Sequence, residues 1–209
     1  MPAYFSLDME FNRYEVDFDT VKQIEERLER AGLVFRSGYW GKAEQRSREE
    51  IILHNQTLLE EDFMLGFEQH HDEGYWQSEY DCDGFSSVRG YFMNNYPIKG
   101  EFSFILLVVE DEVLDWDSEG TPYRKDAIER LRELAKKLWE MPQIRSIQTG
   151  LEGDDSITPE SEYREGAPIA AHPFAIISER YFTKQDESLY EAEHIPFGGV
   201  LLTDKKARF

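Results

Sequence analysis

Phe102-Ser103-Phe104-Ile105-Leu106-Leu107-Val108-Val109 is an almost unbroken apolar run, rich in β-branched residues and bounded by Gly100-Glu101 and Glu110-Asp111-Glu112. A run of this length and composition predicts a strand covered on both faces, at the middle of a sheet. Upstream, Phe5, Leu7, Met9 and Phe11 alternate with Ser6, Asp8 and Glu10, the period-two pattern of a strand with one face on a core and the other wet. Phe63 to Glu68, Phe85 to Met93, Ile144 to Thr149, Phe174 to Ser178 and Gly199 to Thr203 read as further strands.

Helical spacing fills the intervals. Val21, Ile24, Leu28 and Ala31 share one face, Thr20 with Gln23 predicts a capping box, and Gly32 supplies a left-handed stop, so a helix is expected over Thr20 to Ala31. Leu33 to Ser37 then reads as a strand and completes a β-α-β opening. Ser47 with Glu50 forms a second capping box ahead of Ile51, Ile52, Leu58 and Leu59, predicting a helix from Ser47 to Glu61. Thr121-Pro122 reads as an N-cap and first turn, after which Ala127, Leu131, Leu134 and Leu138 mark the stripe of a long helix ending near Pro142. The expected fold is α+β: a mixed, largely antiparallel sheet with a β-α-β opening and two or three helices packed on it. No repeat or linker divides the chain, so residues 1–209 read as a single domain, with a surface loop or flap at 150–173, rich in Gly, Pro and acids.

Charge narrows the classes of function. The 209 residues carry 43 acidic against 23 basic side chains, a formal charge of −20. Binding to nucleic-acid phosphates needs clustered Lys and Arg, and anionic membranes repel the same excess of carboxylate. The lone cysteine, Cys82, forms no intrachain disulfide, and Met1 to Asp8 lacks both the basic and the apolar region of an export signal, so a cytoplasmic protein is expected. No stretch of eighteen apolar residues occurs.

The acids are unevenly placed. Glu49 to Val88 contains eleven acidic residues and no Lys or Arg, and Gly100 to Tyr123 contains seven and none. Bases concentrate on the helices instead, with seven against four acids in Lys22 to Arg48 and again in Arg124 to Arg145. Within the acidic stretches, Tyr75, Trp76 and Tyr80 lie among Asp72, Glu73, Glu79, Asp81 and Asp83, and Asp115-Trp116-Asp117 repeats the mixture. Trp and Tyr supply large desolvated contacts, while neighbouring carboxylates steer a basic protein partner and repel acidic ones. These eleven residues are the candidate partner-binding set, and each ring carries the competing reading of a lid folded onto the core.

Catalytic and metal motifs are weaker. Glu79, Asp81, Asp83 and Gly84 resemble the start of a calcium loop, but its twelfth position is Gly90 or Phe92 instead of a bidentate Glu. His70 and His71 point to opposite faces if the segment is extended, and no H-x-x-x-H or paired-Cys spacing joins them to His54 or His172. Cys82 among acids is a poor nucleophile, because nearby carboxylates raise a thiol's pKa. No cofactor, metal ligand set or catalytic residue is assigned.

An acidic α+β layout, a single cysteine and aromatic-acidic loops together resemble the small immunity proteins with which bacteria neutralise their own toxins. Gly38-Tyr39-Trp40-Gly41 is similar to a Tyr-Trp-Gly element of some such families. The resemblance implies stoichiometric inhibition, in which an acidic face covers the positively charged site of a toxin nuclease and no substrate is turned over. The leading expectation is therefore an acidic binding protein that blocks a basic partner, as a monomer or homodimer. The alternatives are a small hydrolase-like or metal-dependent enzyme with an unrecognised site, and a phage or housekeeping protein whose charge serves solubility.

Overall fold

The structure is a computed structural model and describes residues 3–65, 74–94, 100–152 and 157–209. Its centre is a sheet of nine strands: β1 (Tyr4–Asn12), β2 (Val34–Tyr39), β3 (Gln77–Cys82), β4 (Phe85–Asn94), β5 (Glu101–Val109), β6 (Ile144–Leu151), β7 (Phe174–Ser178), β8 (Tyr190–Ile195) and β9 (Gly199–Asp204). The order is β2-β3-β4-β5-β1-β6-β7-β9-β8, and every neighbouring pair is antiparallel. The fold is α+β. Among the described residues, five helices accompany the sheet: α1 (Thr20–Ala31), α2 (Arg48–Leu65), α3 (Lys125–Trp139) and the single-turn α4 (Glu160–Tyr163) and α5 (Glu179–Phe182).

The middle strand is β1, and the run Phe102 to Val109 lies beside it as β5. β1 and β2 run in the same direction, so the β-α-β opening exists as a crossover that skips β5, β4 and β3. Alternation sorts the side chains: Phe5, Leu7, Met9 and Phe11 of β1 and Phe102, Phe104, Leu106 and Val108 of β5 enter the core beneath Ile24 and Leu28 of α1 and Leu131 and Leu138 of α3. Burying each such side chain contributes about 1.5–3 kcal/mol. Arg27 of α1 ties the two helices by donating to the Lys137 carbonyl at 2.8 Å. β7 is buried on both faces, with Phe174 and Ile176 in this core and Ala175 and Ile177 in a second one completed by Tyr163, Ile169, Tyr190, Val200 and Leu202.

Several expectations need correction. Phe63 to Leu65 continue α2 and form no strand, and residues 66–68 lie outside the described residues. Once the box at Ser47 closes, with Glu50 accepting from the Ser47 amide at 2.8 Å and the Glu50 amide donating to the Ser47 hydroxyl at 3.2 Å, no Gly or Pro interrupts the helix before Gly66. Thr20 is the first residue inside α1 and not its cap; its hydroxyl accepts from the Asp17 amide at 2.8 Å. Gly32 stops α1 at φ 108° as expected. Thr121-Pro122 does not start α3, because Tyr123 is drawn into a bridge with Leu114 and the helix begins at Lys125. Of the stretch expected as a flap, Tyr163, Ile169 and Ala171 fill the second core, and the Gln148 side chain clamps the Thr158 backbone through bonds of 2.9 and 2.8 Å. Residues 153–156 of it lie outside the described residues. Strands β3 and β8 lie outside the expected set: Gln77–Cys82 reads as acidic loop, and β8 buries only its ends, Tyr190 and Ile195.

Candidate functional site

Antiparallel pairing decides which loops meet. β3 descends to Cys82, turns at Asp83-Gly84 and leaves as β4, while β5 ends at Val109 opposite Tyr4, with Val108 opposite Val88. The β3–β4 turn and the connection after β5 therefore emerge at the same end of the sheet. They are bonded there, since the Ser86 amide donates to Glu112 Oε1 at 2.8 Å. Gly84 makes this turn at φ 86°, and the Arg130 guanidinium lies so close beneath it that a Cβ there would come within 2.6 Å of Nη1.

This end gathers Asp81, Asp83, Asp111, Asp117 and Glu119 as exposed acids, with Glu110, Glu112 and Asp115 half-buried between them. Asp115 folds its own loop, accepting from the Ser118 hydroxyl at 2.5 Å and the Asp117 amide at 3.2 Å. The Ser118 bond, more than any other contact, holds the Asp115 carboxyl below its usual pKa. That turn leaves Trp116 55% exposed, beside a cleft of about 420 Å³ whose walls include His172 and Asp204 and also two bases, Lys206 and Arg208. From the β3–β4 turn to the end of β6 is three strand steps, roughly 15 Å, comparable to the width of a protein-docking patch. Among the described residues, Arg36 pairs with Asp81 at 3.8 Å and Arg130 with Asp126 at 3.7 Å, both exposed pairs of small energetic weight.

The expected set is thus divided. Asp81, Asp83, Asp115, Trp116 and Asp117 share this end. Tyr75 and Trp76 lie at the opposite end of β3, roughly 20 Å away along the strand, so the two aromatic clusters do not form one patch. Trp76 is half-buried, stacked on His54 with ring centroids 3.8 Å apart, and its backbone is bracketed by Asn55 through bonds of 2.8 and 2.9 Å. Tyr75 packs on Phe92 at 5.6 Å. Tyr80 is a correction: its side chain points into the main core and is fully buried, so it offers no surface to a partner. Glu79 sits within the strand, accepting from Ser87 at 2.7 Å and Ser37 at 3.3 Å. Asp72 and Glu73 lie outside the described residues, as do His70 and His71.

Two further features lie outside the expected set. Trp40 is 68% exposed and held at φ 68°, a region that bulky residues rarely enter. It follows Tyr39, which pairs with Gln77, so its backbone lies at the Trp76 end of β3. The signal is present in Gly38-Tyr39-Trp40-Gly41: a Cβ on Gly38 would lie 1.9 Å from the Ala43 carbonyl oxygen, and Gly41 turns at φ 60°. The second feature is the pair of acids on β1. Asp8 and Glu10 are buried on the sheet face away from the main core, and burial pushes Asp8 up to about 7 and Glu10 up to about 8. Glu10 accepts from the Ser146 hydroxyl at 2.7 Å and the Glu160 amide at 2.8 Å, whereas Asp8 Oδ1 has no hydrogen-bond partner among the described residues. Nothing in the alternation distinguishes these acids from wet ones.

Among the described residues no three His, Cys, Asp or Glu side chains are grouped to hold a metal ion. No helix there is long and apolar enough to cross a membrane. Compared with known proteins, the chain matches no family model, no curated protein and no solved structure.

Proposed function

We propose that this chain is an acidic binding protein, an immunity-type inhibitor that blocks a basic protein partner such as a toxin nuclease. The observation that carries this reading is the acidic end of the sheet, where two segments without Lys or Arg meet through the Ser86–Glu112 bond and the exposed Trp116 leaves from the same end. Carboxylates spread over such a face accelerate encounter with a cationic surface, and an aromatic ring at its edge supplies a contact that outlasts encounter. The partner's own positively charged substrate site is the complementary surface.

The test is capture from lysate on the immobilised chain in about 50 mM and about 500 mM salt, which shortens the Debye length about threefold. One basic protein should be retained at low salt and released at high salt. Trp116→Ala should weaken that partner's affinity at least tenfold, as for an interface hot spot, and Asp81→Asn with Asp83→Asn should mainly slow association. Absence of a partner in both salts, or a partner indifferent to all three substitutions, overturns the reading.

A second reading, a small enzyme, is favoured by the raised carboxyls of Asp8 and Glu10, since strongly perturbed acids concentrate at active sites. Its test is a hydrolase substrate panel on the wild type and Glu10→Gln. Turnover abolished by Glu10→Gln in a folded protein would establish it, and no turnover from the wild type would remove it.

A further inference from the structure

Helices α1 and α2 lie side by side, joined by Arg48, which pairs with Glu25 at 3.4 Å and Glu29 at 2.8 Å, and by Gln56, which accepts from the Val21 amide at 2.9 Å. Between them runs a groove of about 370 Å³ whose walls include Phe18, Lys22, Glu26, Glu49, Ile52 and Leu53. Phe18 is 83% and Leu53 69% exposed. Three consecutive apolar residues, Ile51 to Leu53, sweep about 200° of the α2 circumference, and only Ile51 of them is fully buried. A helix apolar on more than one side is ordinarily covered on more than one side. On the groove side of α2 the apolar surface of Leu53 stays open among the described residues.

The rim indicates what fits. Its two cations are engaged, Lys22 with Glu26 at 3.9 Å and Arg48 with Glu25 and Glu29, while Asp19 and Glu49 have no basic partner among the described residues. Phe18, Ile52 and Leu53 stand as apolar surface around the Arg48–Glu25 and Gln56–Val21 bridges that cross between the helices, and with the unpaired carboxylates beside them they are complementary to a helix bearing one apolar stripe and flanking Lys or Arg. We propose that the α1–α2 groove docks a basic amphipathic helix of a partner protein, with Phe18 and Leu53 gripping its apolar stripe. This surface is separate from the acidic end and the inference goes beyond the reading given above.

The test uses two labelled peptides of about 18 residues, one patterned Leu/Lys and one Leu/Glu in the same helical register, titrated by fluorescence anisotropy. The Leu/Lys peptide should bind the wild-type chain and the Leu/Glu peptide should not. Leu53→Asp discriminates sharply: it adds negative charge, so attraction by charge alone would strengthen, whereas a groove filled through apolar contact loses at least tenfold in affinity. Phe18→Ser should weaken binding similarly, and Trp116→Ala at the acidic end should leave it unchanged. Both groove side chains are exposed, and circular dichroism checks that the variants stay folded. No binding of the Leu/Lys peptide, or equal binding by wild type and both groove variants, overturns the proposal. So does a homodimer, seen by light scattering, that Leu53→Asp dissociates, because the groove is then filled by a second copy. None of these results bears on capture at Trp116.

Discussion

Tyr80 donates its hydroxyl to the Glu25 carboxylate at 2.6 Å, joining β3 to α1 inside the main core. Burial raises the pKa of both groups, and the bond from Tyr80 is the strongest influence keeping Glu25 from rising further. Tyr80→Phe leaves Glu25 with Arg48 as its remaining support. A buried polar group deprived of one partner costs about 1–3 kcal/mol, and urea unfolding should show a loss in that range. A change below about 0.5 kcal/mol would mean that Arg48 or water replaces the phenol.

Asp8 and Glu10 make stability depend on pH in an unusual direction. Their folded pKa values, about 7 and about 8, lie above the ordinary 3.8 and 4.5, so between about pH 4 and 8 the unfolded chain binds fewer protons than the folded one. Their contribution is fully present below pH 4 and is lost as pH rises through 7 and 8. Asp8→Asn cannot ionise and escapes its share of this loss. Its stability relative to the wild type should improve from pH 5 to pH 9 by about 2–4 kcal/mol, because a tenfold difference in proton affinity between the folded and unfolded carboxyl is worth about 1.36 kcal/mol. A difference that stays constant across pH would show that Asp8 titrates normally.

Gly38 and Trp40 should respond in opposite directions. Gly38→Ala forces a Cβ toward the Ala43 carbonyl oxygen, where backbone must yield, and about 3 kcal/mol or more of stability should be lost. Trp40→Gly removes a strained positive φ at the cost of little buried surface and should raise stability by about 1 kcal/mol. Thermal melts of the two variants provide the comparison. A destabilised Trp40→Gly would show that the ring packs in solution.

Cys82 should be slow to alkylate. Burial first, and the Asp83 carboxylate second, raise its thiol above the ordinary value, which suppresses the thiolate at neutral pH. Iodoacetamide labelling at pH 7.5 should run more slowly than with glutathione. Asp83→Lys should speed it severalfold by reversing the neighbouring charge. Equal rates in the two proteins would leave burial as the sole cause.

Local pattern revealed much of this fold. The alternation in Phe5 to Phe11, the spacing of Val21 to Ala31 closed by Gly32, and the apolar runs of β5 and β7 each carry their own periodicity, and all became the elements expected. Where a tertiary contact competed with a local signal, the signal lost. Thr121-Pro122 looks like a helix start, but pairing of Tyr123 with Leu114 claims that backbone. Gln77–Cys82 looks like an acidic loop because β-propensity counts Asp and Glu against a strand, yet a strand between two neighbours tolerates them on an open face.

The candidate site was legible in part for the same reason. Sequence marks Trp116 and the base-free segments around it, but Trp76 and Tyr80 carry the same composition and end as a half-buried stack and a core residue. Asp8 and Glu10 read as the wet face of a strand, and only packing on the far side of the sheet turns them into buried acids.

By itself the amino-acid sequence determined the charge, the α+β class and most of the elements, because composition and short-range periodicity act within a few residues of chain. Tertiary structure alone decided that the Asp83 turn and Glu112 meet while Trp76 faces away, since strand order and direction set which end of the sheet each loop leaves from. Those choices come from contacts between residues far apart in the chain, and local pattern carries no record of them.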